Sequence, residues 1–146
     1  MREERSQELR IERTYEASAE EVFDAWTSAE VLRRWMHAGE DWSTPVAEVD
    51  LRVGGTVRIV MRRPDGGDAE MHGEYREIER PHRLVMAWTF ADRPENRQLI
   101  ELSFTESGGA TTVVMVNTEI SGEERRESQE RGWRACLEEL ARALAG

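Results

Sequence analysis

The sequence predicts an α+β protein in which one antiparallel sheet curls around a single long C-terminal helix, with two short helices after the first strand. Three observations carry that prediction. Along the last fifteen residues, Trp133, Cys136, Leu137, Leu140, Ala141 and Leu144 recur at i, i+3, i+4, i+7, i+8 and i+11, an apolar stripe down one side of a helix. Before them run seven short alternating segments, and the turns between the middle six are too brief for anything but antiparallel neighbours. Ser18 with Glu21, Ser28, and Ser121 with Glu124 stand where helix N-caps are needed.

Taken in order, Leu9 to Tyr15 alternates Leu9, Ile11, Arg13 and Tyr15 against polar neighbours and reads as the first strand. The Ser18/Glu21 capping box opens a short helix through Val22, Phe23, Ala25 and Trp26, and Ser28 caps a second that carries Val31, Leu32 and Trp35. Six strands follow, at Ser43–Leu51, Thr56–Arg63, Glu70–Glu79, Arg83–Phe90, Gln98–Glu106 and Thr111–Glu119. Their turns fall mainly at Gly54-Gly55, Asp65-Gly66-Gly67, Arg80-Pro81, Asp92-Arg93-Pro94 and Gly108-Gly109. A final helix from the Ser121/Glu124 box would run about 22 residues, or roughly 33 Å. With no repeat, linker or low-complexity segment, residues 1–146 read as a single domain.

Side-chain parity assigns the faces of the sheet. Val57, Ile59 and Met61 share a side, as do Met71, Gly73 and Tyr75, then Leu84, Met86, Trp88 and Phe90, then Ile100, Leu102 and Phe104. These are the inward sets. Arg58, Arg62, His72, Glu74, Arg76, Glu101, Ser103 and Thr105 fall on the other side, toward solvent. In the last strand Val114 and Val116 compete with Val113 and Met115, and the reading places Val114 and Val116 inward.

Composition narrows the partners. Thirty acidic against twenty basic residues give a net charge of −10, which repels nucleic acid and anionic membrane surfaces. Neither is expected as a partner. Every basic residue is arginine, which removes Schiff-base chemistry and pyridoxal phosphate attachment, both of which require a lysine amine. The single cysteine, Cys136, lies on the helical stripe, so an internal disulfide and a multi-cysteine metal site are both excluded. No window approaches the ~18 apolar residues of a membrane span, and Met1 to Arg10 is charged rather than signal-like. A cytoplasmic protein is the expectation.

Several blocks together resemble a known family. They are Ile11-Glu12-Arg13-Thr14-Tyr15, Glu21-Val22-Phe23-Asp24-Ala25-Trp26-Thr27, Leu32-Arg33-Arg34-Trp35, Gly54-Gly55, Gly73-Glu74-Tyr75-Arg76-Glu77-Ile78 with Pro81 and Arg83-Leu84-Val85, and Gly132-Trp133-Arg134-Ala135-Cys136-Leu137-Glu138-Glu139-Leu140. In order and spacing the chain is similar to the family named after the activator of the heat-shock protein 90 ATPase, within the START and birch-pollen-allergen-like (SRPBCC) superfamily. The resemblance implies a helix-grip fold with a seven-stranded sheet. A homodimer is compatible with that superfamily. Two departures stand out: Met36-His37-Ala38 replaces the family's frequent Trp-Gly-Pro after Trp35, and Ala17-Ser18 replaces Ala-Pro. The first alters a segment that often borders the cavity entrance.

A sheet wrapped around one helix leaves a hollow, which is expected to be apolar with a few orienting polar groups. Its candidate lining is Trp42, Ile59, Met61, Met71, Tyr75, Met86, Trp88, Phe104, Trp133 and Leu137. Methionine thioethers suit varied ligand shapes, although they also fill gaps in ordinary cores. Trp26 and Trp35 are assigned to packing of the small helices. Chemistry-bearing signals are sparse. Arg13 would reach a ligand carboxylate or close a rim salt bridge, and Glu77 shares parity with Tyr75, where an acid or base beside a phenol would sit. His37, His72 and His82 lack metal-ligand spacing, Gly54-Gly55 lacks the setting of a phosphate loop, and no catalytic triad is legible.

No cofactor, metal or catalytic residue is assigned. The leading reading is binding of a small hydrophobic or aromatic molecule between sheet and C-terminal helix. A cyclase- or aromatase-like enzyme of the same superfamily is the second reading, since a shaped pocket that orients a reactive chain needs few dedicated residues. A co-chaperone-like protein contact is the third, and the want of an added N-terminal module argues against it.

Overall fold

A computed structural model describes residues 6–146; of the charged N-terminal stretch read above, residues 1–5 lie outside the described residues. The chain runs β1 (Ser6–Tyr15), α1 (Ala19–Thr27), α2 (Ala29–Trp35), β2 (Ser43–Val49), β3 (Thr56–Arg62), β4 (Asp68–Glu79), β5 (Arg83–Phe90), β6 (Gln98–Ser107), β7 (Ala110–Ser121) and α3 (Glu123–Ala145). Its strands form one seven-stranded sheet in the order β1-β7-β6-β5-β4-β3-β2, antiparallel throughout. The α1–α2 bracket therefore carries the chain from one sheet edge, β1, to the other, β2.

Local chemistry accounts for the helices. The Ser18 hydroxyl accepts the Glu21 backbone N–H at 3.1 Å, as a capping box requires. Ser28 accepts from Val31 N–H at 3.4 Å and so starts α2 directly after α1. The third helix begins differently from the reading above. Ser121 is the last residue of β7, and Gly122 with φ +85° occupies the cap position. The chain takes a positive φ at this strand-to-helix junction, a conformation that glycine adopts without strain.

Two further expectations are corrected by register. Val113 and Met115, not Val114 and Val116, face inward: Met115 lies opposite Ile11 and Leu102, and Val113 opposite Phe104, all of them buried. Both parities of this strand are apolar, so composition alone does not decide between them. The buried Thr111, whose hydroxyl donates to Ala17 C=O at 2.7 Å, and the buried Asn117 fix the parity instead. In β4, pairing shifts between Tyr75 and Glu77, so Tyr75 lies opposite Met86 while Glu77 lies opposite Val85. The bulge reverses the alternation. Glu77 consequently points outward to Arg83, at 3.0 Å, and not beside the Tyr75 phenol.

The C-terminal half of α3 presses its stripe onto the structure. Trp133, Cys136, Leu137 and Leu140 are buried, and the helix packs against β1, β7, α1 and α2. Four indoles form a chain through the middle: Trp35 contacts Trp26 at 4.8 Å between ring centroids, Trp26 contacts Trp133 at 6.2 Å, and Trp133 contacts Trp88 at 5.9 Å. Trp88 in turn lies against the bare backbone of Gly73, where a Cβ would come within 2.9 Å of its ring. The outer face of the sheet carries arginine forks instead: Arg58 to Glu48 and Glu70, Arg62 to Asp68, and Arg83 to Glu77 and Glu101. Each exposed pair stabilises little by itself.

Candidate functional site

Before Trp133, no residue of α3 is fully buried. There the apolar stripe gives way to Arg125, Ser128, Gln129 and Gly132, and the helix stands clear of the far side of the sheet. A groove of about 690 Å³ fills the gap, within the range of small-molecule sites. Its floor is Met61, Ala69, Met71 and Phe90, at the end of β3, the start of β4 and the end of β5. Ala38 and Trp42, from the connection between α2 and β2, form one rim, and Ala91 and Asp92 after β5 form another. The roof is Arg125, Ser128, Gln129, Gly132, Trp133 and Cys136 of α3.

Of the ten lining positions expected from sequence, Trp42, Met61, Met71 and Trp133 border this groove. Ile59, Tyr75, Met86, Trp88, Phe104 and Leu137 are buried in the core beyond its walls. The helix there lies against β1 and β7, and its side chains occupy the space between the layers. Arg13 makes a salt bridge outside the groove lining, with Nη1 donating to Glu138 of α3 at 2.6 Å. That guanidinium holds the Glu138 carboxyl below its ordinary range.

Sequence reading missed Ala38, Arg63, Asp68, Ala69, Glu70, Phe90, Ala91, Asp92 and Cys136 of the lining, and on α3 before Trp133 it missed Arg125, Ser128, Gln129 and Gly132. A signal for the last four was present: they continue the α3 stripe backward at the same helical spacing, but in polar and small residues. Gly132 is the telling member. A Cβ built there meets nothing within 4 Å, so its place on the groove face leaves volume open.

The charges at the mouth are mostly committed elsewhere. Asp68 accepts from Arg62 at 2.9 and 3.1 Å, and this pairing holds its carboxyl below the ordinary value. Glu70 accepts from Arg58 at 3.1 Å and is depressed in the same way. Arg125 meets Asp92 at only 3.8 Å. Among the described residues there is no group of three His, Cys, Asp or Glu side chains able to hold a metal ion.

The segment that departs from the family pattern ties the rim to α3. Thr44 donates its hydroxyl proton to Met36 C=O at 2.8 Å, so at its other contact, also 2.8 Å, it accepts from His37 Nδ1–H. His37 Nε2 then faces Glu139 at 3.9 Å, and Glu139 is also held by Arg142. Burial holds the imidazole below its ordinary value of 6.5, with Glu139 opposing that shift. His37 is thus a packed rim residue whose neighbour Ala38 borders the groove.

Burial raises the pKa of three acids that are neutral when protonated. The Cys136 thiol is pushed up to about 12 from 9.0. The Tyr15 and Tyr75 phenols are raised above their ordinary 10.0, again chiefly by burial; Tyr15 donates to Leu137 C=O at 3.1 Å. Because the folded pKa of each exceeds the unfolded one, their stabilisation is complete below the unfolded values and is lost as pH climbs toward the folded ones. The midpoint of thermal unfolding, followed by circular dichroism, should accordingly hold steady near neutrality and fall progressively from about pH 9 upward.

A seven-stranded antiparallel sheet gripping a C-terminal helix, with two short helices between its edge strands, defines a helix-grip protein of the SRPBCC superfamily. More narrowly, residues 16–145 match the model of the Activator of Hsp90 ATPase homolog 1-like protein family, and the chain belongs to that family. No curated protein matches it. Among solved structures it is similar to the AHSA1-like protein from Aeromonas hydrophila, at 26% identity and TM-score 0.81 over 95% of this chain and 92% of that one. It is also similar in fold to a protein from Chromobacterium violaceum (23% identity, TM-score 0.83, 92% and 94% covered). An AHSA1 protein from Silicibacter pomeroyi superposes equally well (23% identity, TM-score 0.82, 95% and 98% covered). No helix among the described residues is long and apolar enough to cross a membrane.

Proposed function

We propose that this protein binds a small hydrophobic or aromatic molecule in the groove between the N-terminal half of α3 and the β3–β5 side of the sheet. The carrying observation is the roughly 690 Å³ groove walled by Trp42, Met61, Met71 and Trp133, with Gly132 leaving its roof open. Two adaptable thioethers facing two indoles offer apolar area without demanding one ligand shape. The family's fold commonly houses hydrophobic ligands, which supports the same reading.

Titration with N-phenyl-1-naphthylamine, whose fluorescence rises in apolar surroundings, tests it. Saturable binding of one probe per chain is the expected result, together with a ligand mass retained on protein purified from its native cells in native mass spectrometry. An absence of saturable probe binding, with no retained mass, would overturn the proposal.

A further inference from the structure

We infer that Asn96, which does not border the groove, sets the height of the roof and with it the affinity for a ligand: it is a positioning residue of the binding site. The inference rests on the groove being that site and assigns the residue that holds it to size.

The roof needs a hold from outside. From Glu123 to Gly132 no side chain of α3 is fully buried, so the apolar packing that fixes the helix after residue 132 has no counterpart before it. The ties of that half to the sheet side are polar and long: Asn117 of β7 meets Gln129 at 3.3 Å, and Arg125 meets the exposed Asp92 at 3.8 Å. An exposed ion pair of that length stabilises little. The direction of the roof is therefore set where the chain leaves β7.

That departure is bent. Leu9 lies opposite Asn117 and Gln7 opposite Ile120, so Thr118 and Glu119 of β7 stand against Glu8 alone, as in a bulge. Glu119 takes φ +65° and is, among the described residues, the only non-glycine with positive φ; Gly122 follows at +85°. A side chain at such a φ is held against its own preference, and the conformation persists only where the surroundings impose it.

Asn96 imposes it. Its Nδ2 donates to Glu119 C=O at 2.8 Å and its Oδ1 accepts from Ser121 N–H at 3.1 Å, so one amide grips the backbone on both sides of Ile120. These partners also fix which way the amide is turned, since a carbonyl only accepts and a backbone N–H only donates. The buried Gln98 donates Nε2 to the same Asn96 oxygen at 3.3 Å. Pairing of β6 with β7 ends at Leu99 and Thr118, so the Asn96 side chain takes over where the ladder stops. Asn96 is itself placed by two consecutive turns, Arg93 N–H to Phe90 C=O at 3.0 Å and Asn96 N–H to Arg93 C=O at 3.1 Å. The same loop begins with Ala91 and Asp92, a rim of the groove. Asn96 thus fastens the origin of the roof to the rim it faces.

Two measurements on the full chain test this, both made well below the unfolding midpoint. Asn96→Ala should weaken N-phenyl-1-naphthylamine binding at least about fivefold, the effect of one to two lost hydrogen bonds. Hydrogen exchange at residues 121–131 should quicken at least about tenfold, while residues 133–145 keep the parent rates. A residue that served stability alone would leave the affinity of the folded chain unchanged. Asn96→Asp keeps the acceptor for Ser121 N–H but sets a carboxylate against Glu119 C=O; it should give the same two changes, and it decides the matter should Asn96→Ala fail to fold. Parent affinity in the folded variants would overturn the inference and leave the binding site standing, as would exchange that rises evenly along α3. A parent that binds no probe would overturn both.

Discussion

Trp133→Ala should destabilise the fold by ~3–5 kcal/mol, the usual loss when a core aromatic is truncated, and lower the Tm by on the order of 10 °C. Trp133 is only 4% exposed and stands in the middle of the indole chain, touching Trp26 on one side and Trp88 on the other. Its removal interrupts the chain of indoles that runs from the helical bracket to the sheet. The same substitution enlarges the groove, so binding of N-phenyl-1-naphthylamine should weaken as well. Differential scanning calorimetry and the probe titration read the two effects separately. A loss of stability below about 1 kcal/mol would show that the neighbouring rings close over the gap.

The adjacent residue should behave in the opposite way. Gly132→Leu places a side chain on the roof of the groove, at a position where a Cβ meets no neighbouring element within 4 Å. Glycine inside a helix is about 0.8–1 kcal/mol less favourable than alanine, and leucine is close to alanine on that scale. The variant should therefore be as stable as the parent or more so, by roughly 0.5–1 kcal/mol, while probe affinity falls at least about tenfold because the volume is occupied. Gly132→Ala is the control, with the helical gain but little filling. Undiminished probe binding by Gly132→Leu would place the probe somewhere other than the groove.

These contrasts show which features were legible in the chain. Strand order in sequence, the caps at Ser18 and Ser28 and the C-terminal stripe all follow from short-range pattern, and each has its counterpart in the structure. Parity was legible wherever one face of a strand is polar. It failed where both faces are apolar, as in Val113–Val116, and where a bulge reverses alternation after Tyr75. A bulge adds one residue to one strand and leaves no compositional mark at Arg76.

The groove was harder to read for a related reason. Inward parity identifies residues that leave water, whether they meet a ligand or one another. Phe104 and Leu137 satisfy it as fully as Met61 and Met71, yet only the latter pair borders open space. What separates them is the distance between helix and sheet, a property of the assembled layers. The switch of the helical stripe from Trp133 and Leu137 to Gln129 and Arg125 was the one local sign of where those layers part.

Core packing and the lining of the groove thus fall largely to opposite halves of a single α-helix. Anchorage resides after residue 132, in side chains buried against β1, β7 and the bracket, of which Trp133 and Cys136 also border the groove, whereas positions 125, 128, 129 and 132 border it without being fully buried. Under the proposed binding role, descendants of such a chain are free to exchange those four residues and alter the groove while the packed half of the helix stays intact. An engineer seeking to reshape the groove has the same short segment to randomise.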